Sequence, residues 1–421
     1  MMALRQIYRL LSRAQIIDRA PWHFTDTIWR ETGLQIRQLY ENLITQEFKR
    51  NGYEQLLMPS FIPKRVLSRQ AQHYRDVSQL SFSVDDDRDF YLRATSECQF
   101  ADMAASGLFL HWPIRTFQVC SVFRKESVDK VMPLLRSIEI DPFIESITFS
   151  SSAKNEVNSE LTIYQNIFKK LCLPVYATRR PPWDTFPEAR GTIAFDAVIR
   201  GNGVSQVASV HDLGTAFAKP FKLARPNGSK MQQTSSGISG RALFVALATH
   251  VRQGRVVLPS ALCPHLLEIS SAFYAKGKAI LSCIDASRIT ISNDRREARR
   301  SAVSIPLSLE RTPANQIVLS SIIGTRKICD VDQLENAVAI LLEEYDQQLM
   351  LRAQELFRAA LKTKTLEEYD WCGSIPCLLP VAAKDFNMRV LGFGNSPEGD
   401  RRECWTCGGK STLICRTGVV L

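Results

Sequence analysis

The chain has 421 residues, of which 45% are hydrophobic and 23% charged, an ordinary globular composition with room for several domains at roughly 100–200 residues each. Lysine and arginine outnumber aspartate and glutamate by 53 to 43, a formal net charge of +10, which favours polyanionic partners. No apolar run approaches the length of about 18 residues that a membrane helix needs, and eleven cysteines without a secretory pattern predict free thiols in a cytoplasmic, reducing setting.

Taken in chain order, Ile7, Leu10 and Leu11 share one face of a first helix. Arg5, Arg9, Arg13 and Arg19 surround it, and Asp18 argues against reading this start as an organelle-targeting segment. Leu34, Leu39, Leu43, Ile44 and Phe48 recur at helical spacing and stop at Asn51-Gly52. Residues 56–58, before Pro59, read as a short strand. Further strand-like runs lie at 89–93, 115–124, 135–141, 192–200 and 204–209. A second helix is marked by Val157, Leu161, Tyr164, Ile167, Phe168 and Leu171. Residues 222–233 are mostly polar around Pro226-Asn227-Gly228 and read as a hairpin or loop before a helix starting near Gly240. Helices flanking strands without regular alternation predict an α+β fold on an antiparallel sheet.

Two prolines in 256–264 mark a boundary. Beyond it, apolar runs at 279–284, 288–292, 303–309 and 316–322 alternate with helical stretches, as in a small α/β domain. Residues 332–362 give the longest helical pattern, and a cysteine-bearing tail follows. The expected units are 1–255, 256–345 and 346–421. In the tail, Cys372 and Cys377 form one close pair and Cys404 and Cys407 another, with Gly408-Gly409 to turn the second. Two such pairs can approach a tetrahedral zinc ion from opposite sides, and four thiolates leave no open position, so the metal is expected to be structural. Cys98, Cys120, Cys172, Cys263 and Cys283 sit among apolar residues and read as core, and Cys415 as a spare.

Four further segments carry chemistry: Arg93-Ala94-Thr95-Ser96-Glu97, Phe123-Arg124-Lys125-Glu126, His211-Asp212-Leu213-Gly214 and Thr234-Ser235-Ser236-Gly237-Ile238-Ser239-Gly240-Arg241. Joining a carboxylate to the α-phosphorus of ATP brings two anions together, and arginine suits that task because its planar fork stays charged and grips phosphate oxygens. Each segment alone is weak: an Arg-x-Glu is usually a surface ion pair, and a lone histidine usually a satisfied core residue.

In this order, however, they resemble the class II aminoacyl-tRNA synthetases, and most closely the prolyl-tRNA synthetases of archaeal and eukaryotic type. The resemblance implies a class II antiparallel sheet flanked by helices, a small α/β anticodon-binding-like domain and a C-terminal zinc-binding domain. It implies that Arg124 and Arg241 are catalytic, gripping the α- and γ-phosphates. Glu126, Arg136, Glu139 and Gln206 would complete the ATP site, with Mg2+ accompanying the nucleotide. Thr95, Glu97, Arg124, His211 and Ser236 would hold the amino acid. A homodimer is implied as well.

Departures bear on the substrate. Lys125 and Ser236 stand where the family has tryptophan, Asp196 where it usually has glutamate, and Asp141-Pro142-Phe143-Ile144-Glu145-Ser146 where it has Trp-Gln-Glu-Gly-His. Asn293-Asp294-Arg295 and Ile305-Pro306-Leu307 match two anticodon-domain landmarks, with Arg295, Arg296, Arg299 and Arg300 as a basic cluster, but an intervening Gly-Trp-Lys segment is missing. A pocket altered in shape and a shortened anticodon-like region lead us to expect an enzyme that adenylates proline or a related amino acid and passes it to a small-molecule acceptor rather than to tRNA. The alternatives are a tRNA-charging synthetase and a non-catalytic synthetase-like regulator.

Overall fold

In the computed structural model, the described residues are 4–22, 26–71, 81–84, 89–109, 111–125, 132–199, 203–225, 228–270, 284–292, 303–311, 316–363, 366–383, 389–395, 402–411, 413–418 and 420. Glu126, the cluster Arg295 to Arg300, Cys283 and Asn293-Asp294 therefore lie outside the described residues. Helix α1 (Leu4–Arg13) buries Ile7, Tyr8, Leu10 and Leu11 on one face, as its spacing predicts. Helix α2 (Glu31–Arg50) buries Ile36, Tyr40, Ile44 and Phe48. Gly52 then turns the chain at a φ of +78°, a conformation that costs glycine little.

A ten-stranded sheet forms the body of the molecule. Its strands are β1 (Glu54–Gln55), β2 (Ile114–Phe123), β3 (Glu139–Ser150), β4 (Tyr176–Arg179), β5 (Gly191–Ile199), β6 (Gly203–Gly214), β7 (Gln232–Ser239), then β8 (Leu366–Trp371), β9 (Arg389–Asn395) and β10 (Leu413–Gly418). The spatial order is β8-β10-β9-β4-β5-β6-β7-β3-β2-β1. All neighbours are antiparallel except β1 and β2. The C-terminal strands thus extend the sheet that carries the motifs.

Helices α3 (Glu97–Ala105), α4 (Ala153–Lys170) and α5 (Gly240–Thr249) pack around it. Ser152 caps α4, accepting from Asn155 N at 3.4 Å. An aromatic cluster joins helices to sheet: Phe48 stacks on Phe117 at 5.2 Å, and Tyr164 and Phe168 meet Phe195 at 5.4 and 5.2 Å. A separate five-stranded sheet contains Leu267–Ser270, Ile289–Ser292, Leu307–Arg311, Ile317–Ser321 and Arg326–Cys329, with its first strand parallel to the second and third. The long helix α6 (Leu334–Lys362) follows.

Three expectations need correction. Residues 56–58 are not a strand: Leu56 N donates to Phe117 O at 2.9 Å and Met58 N to Gln118 Oε1 at 2.9 Å, leaving an irregular edge. The run 135–141 becomes a strand only at Glu139, because 132–136 is a turn with Leu134 at a φ of +61°. Residues 232–233, read as loop, open β7, whose polar sequence hides its period of two.

Candidate active site

Strand alternation decides what β7 presents. Ser236 faces α4, with its hydroxyl 2.7 Å from Ser146 Oγ and accepting from Tyr164 OH at 3.0 Å. Ser235 faces the other way and donates to Glu97 Oε1 at 2.7 Å. Thr95 hydrogen-bonds the other oxygen of Glu97. On β3, Glu145 is buried and accepts from Ser96 Oγ at 2.5 Å and Gln118 Nε2 at 2.7 Å. Burial, then neighbouring Glu97, raises the Glu145 carboxyl above the ordinary carboxylate range, against those hydrogen bonds.

These groups border a cavity of about 280 Å³ lined by Thr95, Glu97, Arg124, Gln206, His211, Ser236 and Arg241, together with Phe143, Glu145 and Phe186. Arg124 is held by its Nε donating to Ala94 O at 3.1 Å, and its guanidinium lies 5.8 Å from the Phe143 ring centre. Arg241 opens α5, where Ser239 Oγ accepts from Arg241 N at 3.2 Å. Its guanidinium donates to Gln206 O at 3.1 Å. A helix N-terminus with an arginine is suited to phosphate. Strand β6 carries His211 just before a bulge at Asp212/Gly214. Both His211 nitrogens have partners, Thr192 Oγ1 at 2.9 Å and Ser209 Oγ at 3.0 Å, and Phe186 packs on the ring at 4.8 Å. Burial, then Arg124 and Arg180, pushes His211 down to about 3, so the ring is neutral near pH 7.

A second cavity of about 270 Å³ shares Ser239, Ile140 and Arg241 with the first and adds Glu139, Asp141 and Trp29. Glu139 thus lines the second cavity and Glu97 the first, while Arg241 borders both. Arg136 sits in the turn before β3 and lines neither cavity.

The sequence reading assigned no role to Arg180. It is buried beside buried Asp196, at 2.7 Å, and also donates to Gln206 Oε1 at 2.9 Å and to Leu391 O. Gln206 is thus held by its side chain as well as its carbonyl. Arg93, from the first motif, points away from the cavity; it is buried and donates to Ser121 O and Met58 O, both at 2.8 Å. These bonds fix the segment that carries Thr95 and leads into α3 at Glu97.

In the tail, the sulfurs of Cys372, Cys377, Cys404 and Cys407 all lie within 4.8 Å of one another. Cys372 Sγ is 3.7 Å from Cys377 Sγ and 3.9 Å from Cys407 Sγ. A zinc ion with Zn–S bonds of about 2.3 Å sets its four sulfurs roughly 3.8 Å apart, so the cluster is compatible with zinc. Gly408, at a φ of +68°, makes the second turn, and its N–H donates to Cys404 O at 2.9 Å. Burial raises Cys404, but backbone N–H groups of Cys407, Thr406 and Cys372 outweigh it and hold the thiol at about 6, favouring the thiolate that a metal binds. Cys415 is buried in the adjoining core.

Comparison with known proteins fits this geometry. Residues 81–249 match the tRNA synthetase class II core domain (G, H, P, S and T). This stretch of the chain is therefore homologous to the core of the class II aminoacyl-tRNA synthetases, which are ATP-dependent ligases. Within that class its relatives are archaeal proline–tRNA ligases. That of Methanothermobacter thermautotrophicus is 27% identical over 450 residues, covering 95% of this chain and 92% of the relative. That of Pyrobaculum aerophilum is 27% identical over 398 residues, covering 83% and 81%. The solved structure of Giardia lamblia prolyl-tRNA synthetase in complex with prolyl-adenylate has the same fold, with a TM-score of 0.84 at 20% identity, over 99% of this chain and 98% of that one.

Proposed function

We propose that the chain activates proline or a related amino acid with ATP and transfers it to tRNA. The observation that carries this reading is the convergence of Thr95, Glu97, Arg124, His211 and Arg241 on one cavity. The carboxylate of the amino acid attacks the α-phosphorus, and pyrophosphate leaves. Arg124 holds the two anions together, and Arg241, with Glu139 beyond it, takes the triphosphate side. Gln206 belongs to the same ATP site in this reading, whereas Arg136, which lines neither cavity, is assigned to it by the resemblance alone. Magnesium arrives with ATP and screens its charge. Glu97 faces the amino group, and neutral His211, held from both sides, shapes the pocket instead of moving protons. Positioning and cationic stabilisation supply the catalysis.

The transfer to tRNA is supported by relatives named proline–tRNA ligases, matched over 81% and 92% of their length, and by the net charge of +10. This replaces the small-molecule acceptor as the leading reading. The latter stays as a second reading because Ser236, whose hydroxyl turns to Ser146 and Tyr164, and Lys125 stand where the resemblance expects large aromatics, which changes apolar fit. Residues 1–255 are then the catalytic unit, 256–345 the reduced anticodon-binding-like unit and 346–421 the unit with structural zinc on its four cysteines, in a homodimer. Incubation of the full chain with ATP, labelled proline and proline tRNA, with a parallel arm containing small amines, decides between acceptors. Label on tRNA that needs ATP supports the first reading; label only on an amine supports the second, and label on neither rejects both.

A further inference from the structure

Glu145 lines the same cavity as Glu97, although only 2% of it is exposed. It lies two residues along β3 from Phe143, on the strand face that borders the cavity. Its partners place it at the amino-acid end. Ser96, which stands between Thr95 and Glu97 in the chain, donates to Glu145 Oε1 at 2.5 Å. Gln118 Nε2 donates to the same oxygen at 2.7 Å, and the Cys120 thiol approaches it at 3.7 Å.

All three donors converge on Oε1. Oε2 has no hydrogen-bond partner among the described residues. The register of β3 supplies the reason. On one side Glu145 pairs with Gln118 of β2, whose amide is a donor. On the other side it pairs with Gly237 of β7, which has no side chain to offer. A Cβ at Gly237 would come within 2.9 Å of the Phe143 ring, so glycine there also makes room for that ring. A buried carboxyl oxygen beside a cavity costs free energy unless something pairs with it. A strut tying β3 to β2 would need Oε1 alone. In the adenylation reading Glu97 serves the amino group and Arg124 the carboxylate, which leaves the amino acid's side chain for Oε2.

We propose that Glu145 determines the specificity of this pocket, its Oε2 pairing with a hydroxyl or amine on the side chain of the amino acid activated. This deepens the adenylation reading above and rests on it. Proline carries no such group and is then the poorer substrate. Glu145 belongs to the segment 141–146 that departs from the resemblance, as a change of substrate requires. Burial, then Glu97, raises its carboxyl toward the neutral form, in which Oε2 can donate as well as accept. A hydroxyl answers that form directly. An ammonium instead displaces the proton and pairs with the carboxylate.

The test is ATP–pyrophosphate exchange by the full chain with proline, 4-hydroxyproline, threonine, 4-aminoproline and 2,4-diaminobutyrate. At least one of the hydroxyl- or amine-bearing amino acids should exceed proline in kcat/KM by about tenfold, and Glu145→Met and Glu145→Ala should each cut that ratio by about tenfold. Either variant suffices if the other does not fold. Glu145→Gln keeps an acceptor for Ser96 and Gln118; it should retain a preference for a hydroxyl and lose one for an ammonium, which tells the two apart. Preference for proline over every polar analogue, or a ratio that Glu145→Met and Glu145→Ala leave within about twofold, overturns the assignment while leaving adenylation standing. Exchange with no amino acid at all refutes adenylation and the assignment together.

Discussion

Arg124 and Arg241 line one cavity, and in the proposed function they serve opposite ends of one reacting system, so their removal should be felt in the rate more than in folding. Arg124→Ala and Arg241→Ala are each expected to cost about 2–4 kcal/mol of transition-state stabilisation, read as a fall in kcat/KM for amino-acid-dependent exchange. Arg180 predicts the contrasting result. It and Asp196 are both buried, so Arg180→Ala strands a charge and should cost roughly 3–5 kcal/mol of folding stability. Urea denaturation checks this; a variant as stable as the parent would show that the pair contributes nothing net. The sequence made Thr95, Glu97, Arg124, His211 and Arg241 legible because their neighbours form short local patterns. Arg180 and Glu145 were not, because what distinguishes them is desolvation and cross-strand pairing, which no local pattern encodes.

Among the elements, α4 and β7 meet through a polar layer within the core. Glu160 on α4 accepts from Ser146 Oγ at 3.0 Å and from Tyr53 OH and Thr234 Oγ1 at 3.3 Å, in full burial. Burial outweighs these hydrogen bonds and raises Glu160 from 4.5 to about 8. The folded state then holds more protons than the unfolded state, so the contribution of Glu160 to stability is complete below 4.5 and is lost as pH rises through 8. Glu160→Gln should flatten that stretch of the stability–pH curve; an unchanged slope would mean that the carboxyl is ionised in the folded protein. The same layer explains the strand that sequence reading missed. Helices α2, α4 and α6 announced themselves by apolar spacing, whereas β7 alternates serine, threonine and glycine, so both of its faces look polar. The tail makes its own prediction: metal analysis should find about one zinc per chain, and the double change Cys404→Ser, Cys407→Ser should remove it. Zinc retained by that protein would exclude the site.

At the scale of the molecule, one continuous sheet joins the catalytic strands to the cysteine-bearing tail through the β4–β9 pair at Arg179 and Phe393, and Arg180 donates to the tail strand at Leu391 O. No helix among the described residues is long and apolar enough to cross a membrane. The basic surplus, spread over a fold shared with synthetases, leads us to expect tRNA binding that weakens steeply with salt. With an anticodon-like unit reduced as proposed above, that binding should show little preference for the proline anticodon. A filter-binding titration against an anticodon-swapped tRNA at two salt concentrations checks this, and a preference surviving high salt would show that the region still reads bases.

Formation of an aminoacyl-adenylate in this cavity is the step on which the proposed function rests. Its most direct measurement is exchange of labelled pyrophosphate into ATP by the full chain in the presence of magnesium, with and without amino acid. The account predicts exchange that depends on amino acid and falls sharply in Arg124→Ala. Wild-type exchange absent with every amino acid tested, or undiminished in that variant, would contradict it.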